Sequence, residues 1–179
     1  MRGAMARYAV LLRAVNVGGN SLRMADVRKA LEPLFPDVAT YIQSGNVVVA
    51  AKEKADEVAE KVAGALAALG YDGPVFVRSH EELAAAAAAN PFDPERLADR
   101  QRCHLMFLEG RPAAERVQRL MGMEGDEYRF HVQDRVLYYA YDRAFEGPRR
   151  RRIPFEKVLG TPGTARAWNV VERLIAMTS

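Results

Sequence analysis

Two unbroken apolar runs, Ala9-Val10-Leu11-Leu12 and Val47-Val48-Val49, constrain this chain most. Successive residues of a strand point to opposite faces, so a strand that is apolar throughout needs cover on both. Around these runs the spacing predicts a strand over 7–15 and a helix over 24–35 with Met24, Val27, Leu31 and Leu34 on one face. Strands over 38–43 and 46–50 follow, joined at Ser44-Gly45, where glycine supplies a positive φ. A helix over 53–69 carries Val58, Val62, Leu66 and Leu69 on one side and stops at Gly70, and 74–78 reads as a short buried strand.

The order β-α-β-β-α-β is the ferredoxin-like plan, whose first and third strands are central. The two apolar runs fall on those strands, and the mixed segment Val38-Ala39-Thr40-Tyr41-Ile42-Gln43 reads as an edge. Such a sheet carries helices on one face, so the other face calls for the rest of the chain or a second subunit. Ser79 and Glu82 have the spacing of a capping box for a helix ending before Asn90-Pro91. After a linker over 92–101 the plan restarts with a strand over 102–109, a helix over 112–121 and strands over 127–133 and 135–142 turning at Asp134. A short helix over 154–159 and a last helix over 164–177 follow, with no final strand. The expected fold is α+β, two tandem ferredoxin-like halves at 1–90 and 91–179 packed into one unit, the second with a modified helical end.

Charge separates the halves. Residues 1–90 hold ten basic and ten acidic side chains, and residues 91–179 sixteen and thirteen, so the formal +3 of the 179-residue chain lies wholly in the second half. This excess leans on Arg149-Arg150-Arg151-Arg152 and is mild for a nucleic-acid binder. One cysteine, Cys103, excludes an intrachain disulfide and reads as a buried thiol. The basic start before Tyr8–Leu12 lacks the apolar length of a signal peptide, and no stretch nears the roughly 20 apolar residues of a membrane span. The expected location is the cytoplasm, as monomer or homodimer, with no membrane partner.

Three blocks carry the chemistry. Arg13-Ala14-Val15-Asn16-Val17-Gly18-Gly19-Asn20 ends the first strand, and its glycines free backbone amides near a helix start, where a structural turn competes with an anion site. Thr40-Tyr41-Ile42-Gln43-Ser44-Gly45-Asn46 spans the hairpin, and Thr164-Ala165-Arg166-Ala167-Trp168-Asn169-Val170-Val171 opens the last helix. Together the blocks, over about 8–174, resemble the uncharacterised bacterial family known as domain of unknown function 1697. Its members carry Arg-Gly-Ile-Asn-Val-Gly-Gly, Thr-Tyr-Ile-Gln-Ser-Gly-Asn-Val and Thr-x-Arg-Asn-Trp-Asn-Thr-Val. Here Ala14, Ala167 and Val170 replace a Gly, an Asn and a Thr of those patterns. The resemblance implies two ferredoxin-like repeats and supplies no activity.

Arg166 in the first turn of a helix opposes the helix dipole, which asks for a carboxylate or bound anion beside it. Arg13, Asn16, Ser44, Asn46 and Arg166, with Gly18, Gly19, Gly45 and Asn169, are therefore expected to form one polar site between the halves for a small anionic or nucleotide-like ligand. Alanine at Arg13 or Arg166 should then abolish binding with little change in melting temperature. Fold maintenance by Asn16 and Asn46 is the competing reading. An enzyme using the same site ranks second, although no catalytic residue is identified. His80, His104 and His131 are too scattered for a metal, and no cofactor pattern occurs. An RNA-binding or protein-interaction module in the second half ranks third: Tyr138, Tyr139 and Tyr141 share a strand, but alternation sends Tyr138 away from the other two.

Overall fold

Both apolar runs lie on inner strands. In the computed structural model, which describes residues 5–13, 22–92, 97, 101–145 and 152–179, they belong to β1 (Ala6–Leu12) and β3 (Asn46–Ala51). These pair antiparallel with each other, and β2 (Val38–Tyr41) and β4 (Val75–Ser79) flank them in the order β2-β3-β1-β4. Helices α1 (Met24–Leu31) and α2 (Ala55–Ala67) cover one face. There Val10, Leu12, Val47, Val49 and Val77 meet Val27, Leu31, Val58, Val62 and Leu66 in a single cluster. The alternate residues Ala9, Leu11, Val48, Ala50 and Phe76 are buried as well, as strands apolar on both faces require.

The second sheet repeats the plan with β5 (Gln101–Leu108), β6 (Tyr128–Gln133), β7 (Val136–Asp142) and β8 (Gly163–Ala167) in the order β6-β7-β5-β8. Its core joins Met106, Leu108, Leu120, Tyr128, Phe130, Leu137, Val158 and Leu159. Among the described residues the remaining α-helices are α3 (His80–Ala88), α4 (Ala114–Met121), α5 (Phe155–Leu159) and α6 (Trp168–Thr178). The expected capping box opens α3: the Ser79 amide donates to Glu82 Oε2 at 2.9 Å and the Glu82 amide to Ser79 Oγ at 3.2 Å. The chain divides into two compact units, Met1–Ala84 with Arg173–Ser179, and Ala85–Glu172.

The expected helix over 164–177 is corrected at its start, and with it the modified ending of the second half. Gly163–Ala167 is a strand, from Leu108↔Gly163 to His104↔Ala167 along β5, and α6 begins only at Trp168. Thr-Ala-Arg-Ala lacks the branched alternation that marks a strand, so local propensity pointed to a helix and tertiary pairing overrode it. The small residues have a packing reason, since a Cβ at Gly163 would sit 2.7 Å from Met106 Cε and 3.1 Å from the Phe107 carbonyl.

The two registers superimpose. Leu12 faces Val75 and Val10 faces Val47 in the first sheet, as Leu108 faces Gly163 and Met106 faces Leu137 in the second. Each sheet also closes the same backbone bond, Leu12 N–H to Gly45 O at 2.8 Å and Leu108 N–H to Arg135 O at 2.9 Å. The sequence shows no residue-level repeat, yet the backbone plan is duplicated.

Tyr138 and Cys103 lie on the face of the second sheet away from its core cluster. The Tyr138 hydroxyl donates to Ala86 O at 2.9 Å, and burial, reinforced by Cys103, pushes its pKa up to about 12. Burial raises the Cys103 thiol as well, against a hydrogen bond from Asn90. A folded pKa above the unfolded one means the folded state holds its proton longer, so stability is complete below about pH 10 and lost as pH rises through 12. Denaturant unfolding from pH 9 to 12 should show a decline of about 2–3 kcal/mol from this group. Tyr138→Phe should flatten that decline, and an unchanged slope would contradict the assignment.

Candidate functional site

Because the two units share strand order and register, their connections can be compared directly. Between β1 and α1 run residues 13–23, eleven of them, where the matching β5–α4 connection has five, 109–113. The β2–β3 loop has four residues, 42–45, against two, Asp134 and Arg135, between β6 and β7. The α2–β4 connection has seven, 68–74, against three, 160–162. All three lengthened connections meet the carboxyl end of β1, since β3 and β4 run antiparallel to it. In the second unit the longer sequence interval is that between β7 and α5, 143–154 against 52–54, and it opens with a 3-10 turn at Arg143–Phe145. Loops enlarged on a fixed scaffold are where function concentrates.

Arg13 stands at the root of the first loop and is half-buried. Its amide donates to Tyr71 Oη at 2.9 Å, and the Tyr71 hydroxyl has two acceptors in reach, Arg13 O at 3.1 Å and Pro74 O at 2.9 Å. Tyr71 thereby fixes the backbone where β1 ends. Gly73 makes this possible, because a Cβ there would lie 2.6 Å from Tyr71 Oη. Neither residue stands out in the sequence, since a lone tyrosine after a helix and a glycine in a turn are common. Tyr71→Phe removes the hydroxyl from all three of its partners and should lower stability by about 1–2 kcal/mol, read as a drop in denaturation midpoint. An unchanged midpoint would show that Arg13 is held by other contacts.

The hairpin block is a four-residue loop, so β2 ends at Tyr41 rather than at Gln43. Gly45 has φ +78° as the turn demands, but Ile42 also lies in the left-handed region at φ +50° and is 52% exposed. A branched residue is poorly suited to that conformation, and strain of this kind is held by its surroundings at functional loops. Those surroundings include Asn46, wholly buried, whose Nδ2 donates to Tyr41 O at 3.2 Å and Ser44 Oγ at 2.9 Å. Gln43 Oε1 accepts the amide of Met24, the first residue of α1, at 3.3 Å. Ser44 is exposed, and its hydroxyl proton is not used in the bond from Asn46. The hairpin block thus combines structural bracing by Asn46 and Gln43 with exposed Ile42 and Ser44.

Arg166 lies on β8, not in a helix, so the dipole argument for an anion beside it no longer applies. It is 7% exposed, and its Nη1 donates to Thr164 Oγ1 at 2.7 Å and Ala165 O at 2.9 Å. Thr164 is accordingly a strand residue. An equivalent residue goes unnoticed in the sequence: Arg78, fourth on β4 as Arg166 is fourth on β8, also 7% exposed, donates from Nη1 to Val77 O at 2.9 Å. Two buried edge-strand arginines at one register position fit a duplicated structural role. Asn169 is exposed in the first turn of α6. Arg13, Ser44, Gly45 and Asn46 belong to the first unit and Arg166 and Asn169 to the second. Asn16, Gly18 and Gly19 lie outside the described residues, as do Arg149, Arg150 and Arg151 of the arginine cluster, while Arg152 is exposed.

In the second half Tyr139 stacks on His104 at 5.1 Å and packs on Phe155 at 4.9 Å, on the face that Tyr141 shares. Tyr138 points the other way and is buried, so it offers no ring to a base. Among the described residues no cluster of three or more His, Cys, Asp or Glu side chains is placed to hold a metal. No helix among them is long and apolar enough to cross a membrane.

A family model described as "Protein of unknown function (DUF1697)" matches residues 5–138. No curated protein matches the chain. Among solved structures, a conserved bacterial protein, SP0830 from Streptococcus pneumoniae, is similar over 98% of this chain and 100% of its own, at 22% identity and TM-score 0.76. That similarity concerns the fold. An unknown protein from Galdieria sulphuraria aligns over 92% of this chain and 99% of its own at 12% identity, with a TM-score of 0.25.

Proposed function

The chain belongs to the DUF1697 family of proteins of unknown function, and we propose that it binds a small anionic ligand at the end of the first sheet where β1 leaves for α1. One observation carries this reading: all three connections lengthened in the first unit gather at that end, and two of the family's blocks, at Arg13 and at Gln43–Asn46, meet there. Arg13 supplies charge and Ser44 a hydroxyl donor, the groups that recognise a phosphate or carboxylate. The reading takes each half, 1–90 and 91–179, as ferredoxin-like, which the strand orders and intervening helices support. It gives Arg166 a structural part and rests on the first unit alone.

Thermal-shift titration with pyrophosphate and with adenosine monophosphate tests the reading. At least one should raise the melting temperature of the wild type, and Arg13→Ala should remove that shift while its unliganded melting temperature stays within a few degrees. No shift with either probe, or a shift that survives Arg13→Ala, would contradict it. Ile42 gives an independent check. Ile42→Gly relieves the left-handed strain and should stabilise the protein by about 1 kcal/mol while weakening pyrophosphate or nucleotide binding. Destabilisation would show that Ile42 is there for packing.

A further inference from the structure

A second site lies in the other unit, unrelated to the family blocks. A groove of about 490 Å³ runs between α4 and α5, lined by Arg116, Arg119, Met123, Pro154, Lys157 and Val158. Its walls carry three cations and its apolar surface comes from Met123, Pro154 and Val158. We propose that this groove binds an amphipathic organic anion, a single carboxylate, sulfonate or phosphate head on an apolar body.

The three cations differ in role. Arg116 is anchored: its Nη1 donates to Lys157 O at 3.2 Å and Val158 O at 3.4 Å, capping the carboxyl end of α5. Gly160, with φ +72°, admits this placement, because a Cβ there would lie 2.9 Å from Arg116 Nε. Arg119 and Lys157 are exposed, and among the described residues neither makes an ion pair. Glu124 and Glu156, each next to a groove residue, turn instead to backbone amides, of Phe130 at 2.7 Å and Gly163 at 2.8 Å. Arg119 and Lys157 each stand in the last turn of their helix, where the dipole favours them. The dipole does not account for two such cations facing one apolar concavity that no carboxylate lines among the described residues, a setting whose charge an anion would balance. The volume suits a drug-sized body rather than a bare ion.

Titration with 8-anilinonaphthalene-1-sulfonate tests this, with decanoate as competitor and uncharged N-phenyl-1-naphthylamine as comparison. The expected result is one saturable site per chain, displaced by decanoate, with the neutral probe about tenfold weaker or more. Arg119→Gln with Lys157→Gln should weaken sulfonate binding about tenfold or more and leave the far-ultraviolet circular dichroism unchanged. Each single replacement should give a smaller loss. Absence of saturable binding, equal binding of the neutral probe, or full affinity in the double and single variants would overturn the proposal. Arg13→Ala, in the other unit, should leave this binding intact, and a loss there would also count against it.

Discussion

Asn46→Ala is expected to lower stability by about 2–4 kcal/mol, because a fully buried amide is removed from two acceptors, Tyr41 O and Ser44 Oγ. For a chain of this size that is a fall of roughly 5–15 °C in melting temperature. Asn46→Asp should be worse. It keeps the shape but replaces the donor with a carboxylate that must either be desolvated or hold a proton in a site with no exposure. The loop 42–45 loses its brace in both variants, so anion binding weakens as a consequence of disorder in the loop. Equilibrium unfolding together with pyrophosphate titration separates the roles. An Asn46→Ala variant of normal stability that no longer binds would make Asn46 a ligand group and contradict the structural assignment.

The second large effect is expected at the buried arginines. Arg166→Ala should cost about 2–4 kcal/mol, from lost packing of the aliphatic stem and from bonds to Thr164 Oγ1 and Ala165 O that nothing replaces. Arg166→Met keeps the stem and should recover roughly half of that loss. Arg78→Ala should resemble Arg166→Ala, since the two positions match in register and in their bond to the preceding carbonyl. Denaturant midpoints of the four proteins, wild type and three variants, give the comparison. If Arg166→Ala kept the wild-type midpoint, the arginine would be doing something other than holding its strand.

The architecture was legible wherever apolar periodicity was strong. Ala9–Leu12 and Val47–Val49 marked the inner strands, and Val58, Val62 and Leu66 marked α2, because burial on a defined face leaves a period in the residues. The failure at Gly163–Ala167 has the opposite cause. At the start of that strand, close approach to Met106 and Phe107 requires a glycine at 163, and the following Thr-Ala-Arg-Ala carries no strand pattern of its own. Arg166 inherited the error, since its supposed conflict with a helix dipole existed only if 164–167 were helical. Arg78 is not legible in the sequence because a charged residue at a strand end reads as exposed, whereas in the fold it is buried. At the hairpin, Ser44-Gly45 was recognised as a turn, but the strain at Ile42 is a property of φ that residue type does not reveal. Tyr71, which fixes Arg13 from 58 residues away in sequence, and Gly73, which leaves room for its ring, follow from tertiary contact alone.

By burial and hydrogen bonding we assign Asn46 and Arg166 to bracing the fold, and Arg13, Ile42 and Ser44 to the proposed site at the end of the first sheet where β1 leaves for α1. The most direct test of that division is a two-dimensional amide NMR titration of the labelled protein with pyrophosphate. Saturable shifts are predicted at Arg13 and at residues 42–46 of the wild type, and their loss in Arg13→Ala. Absence of saturable shifts at those amides, or the same shifts in Arg13→Ala, would contradict the account.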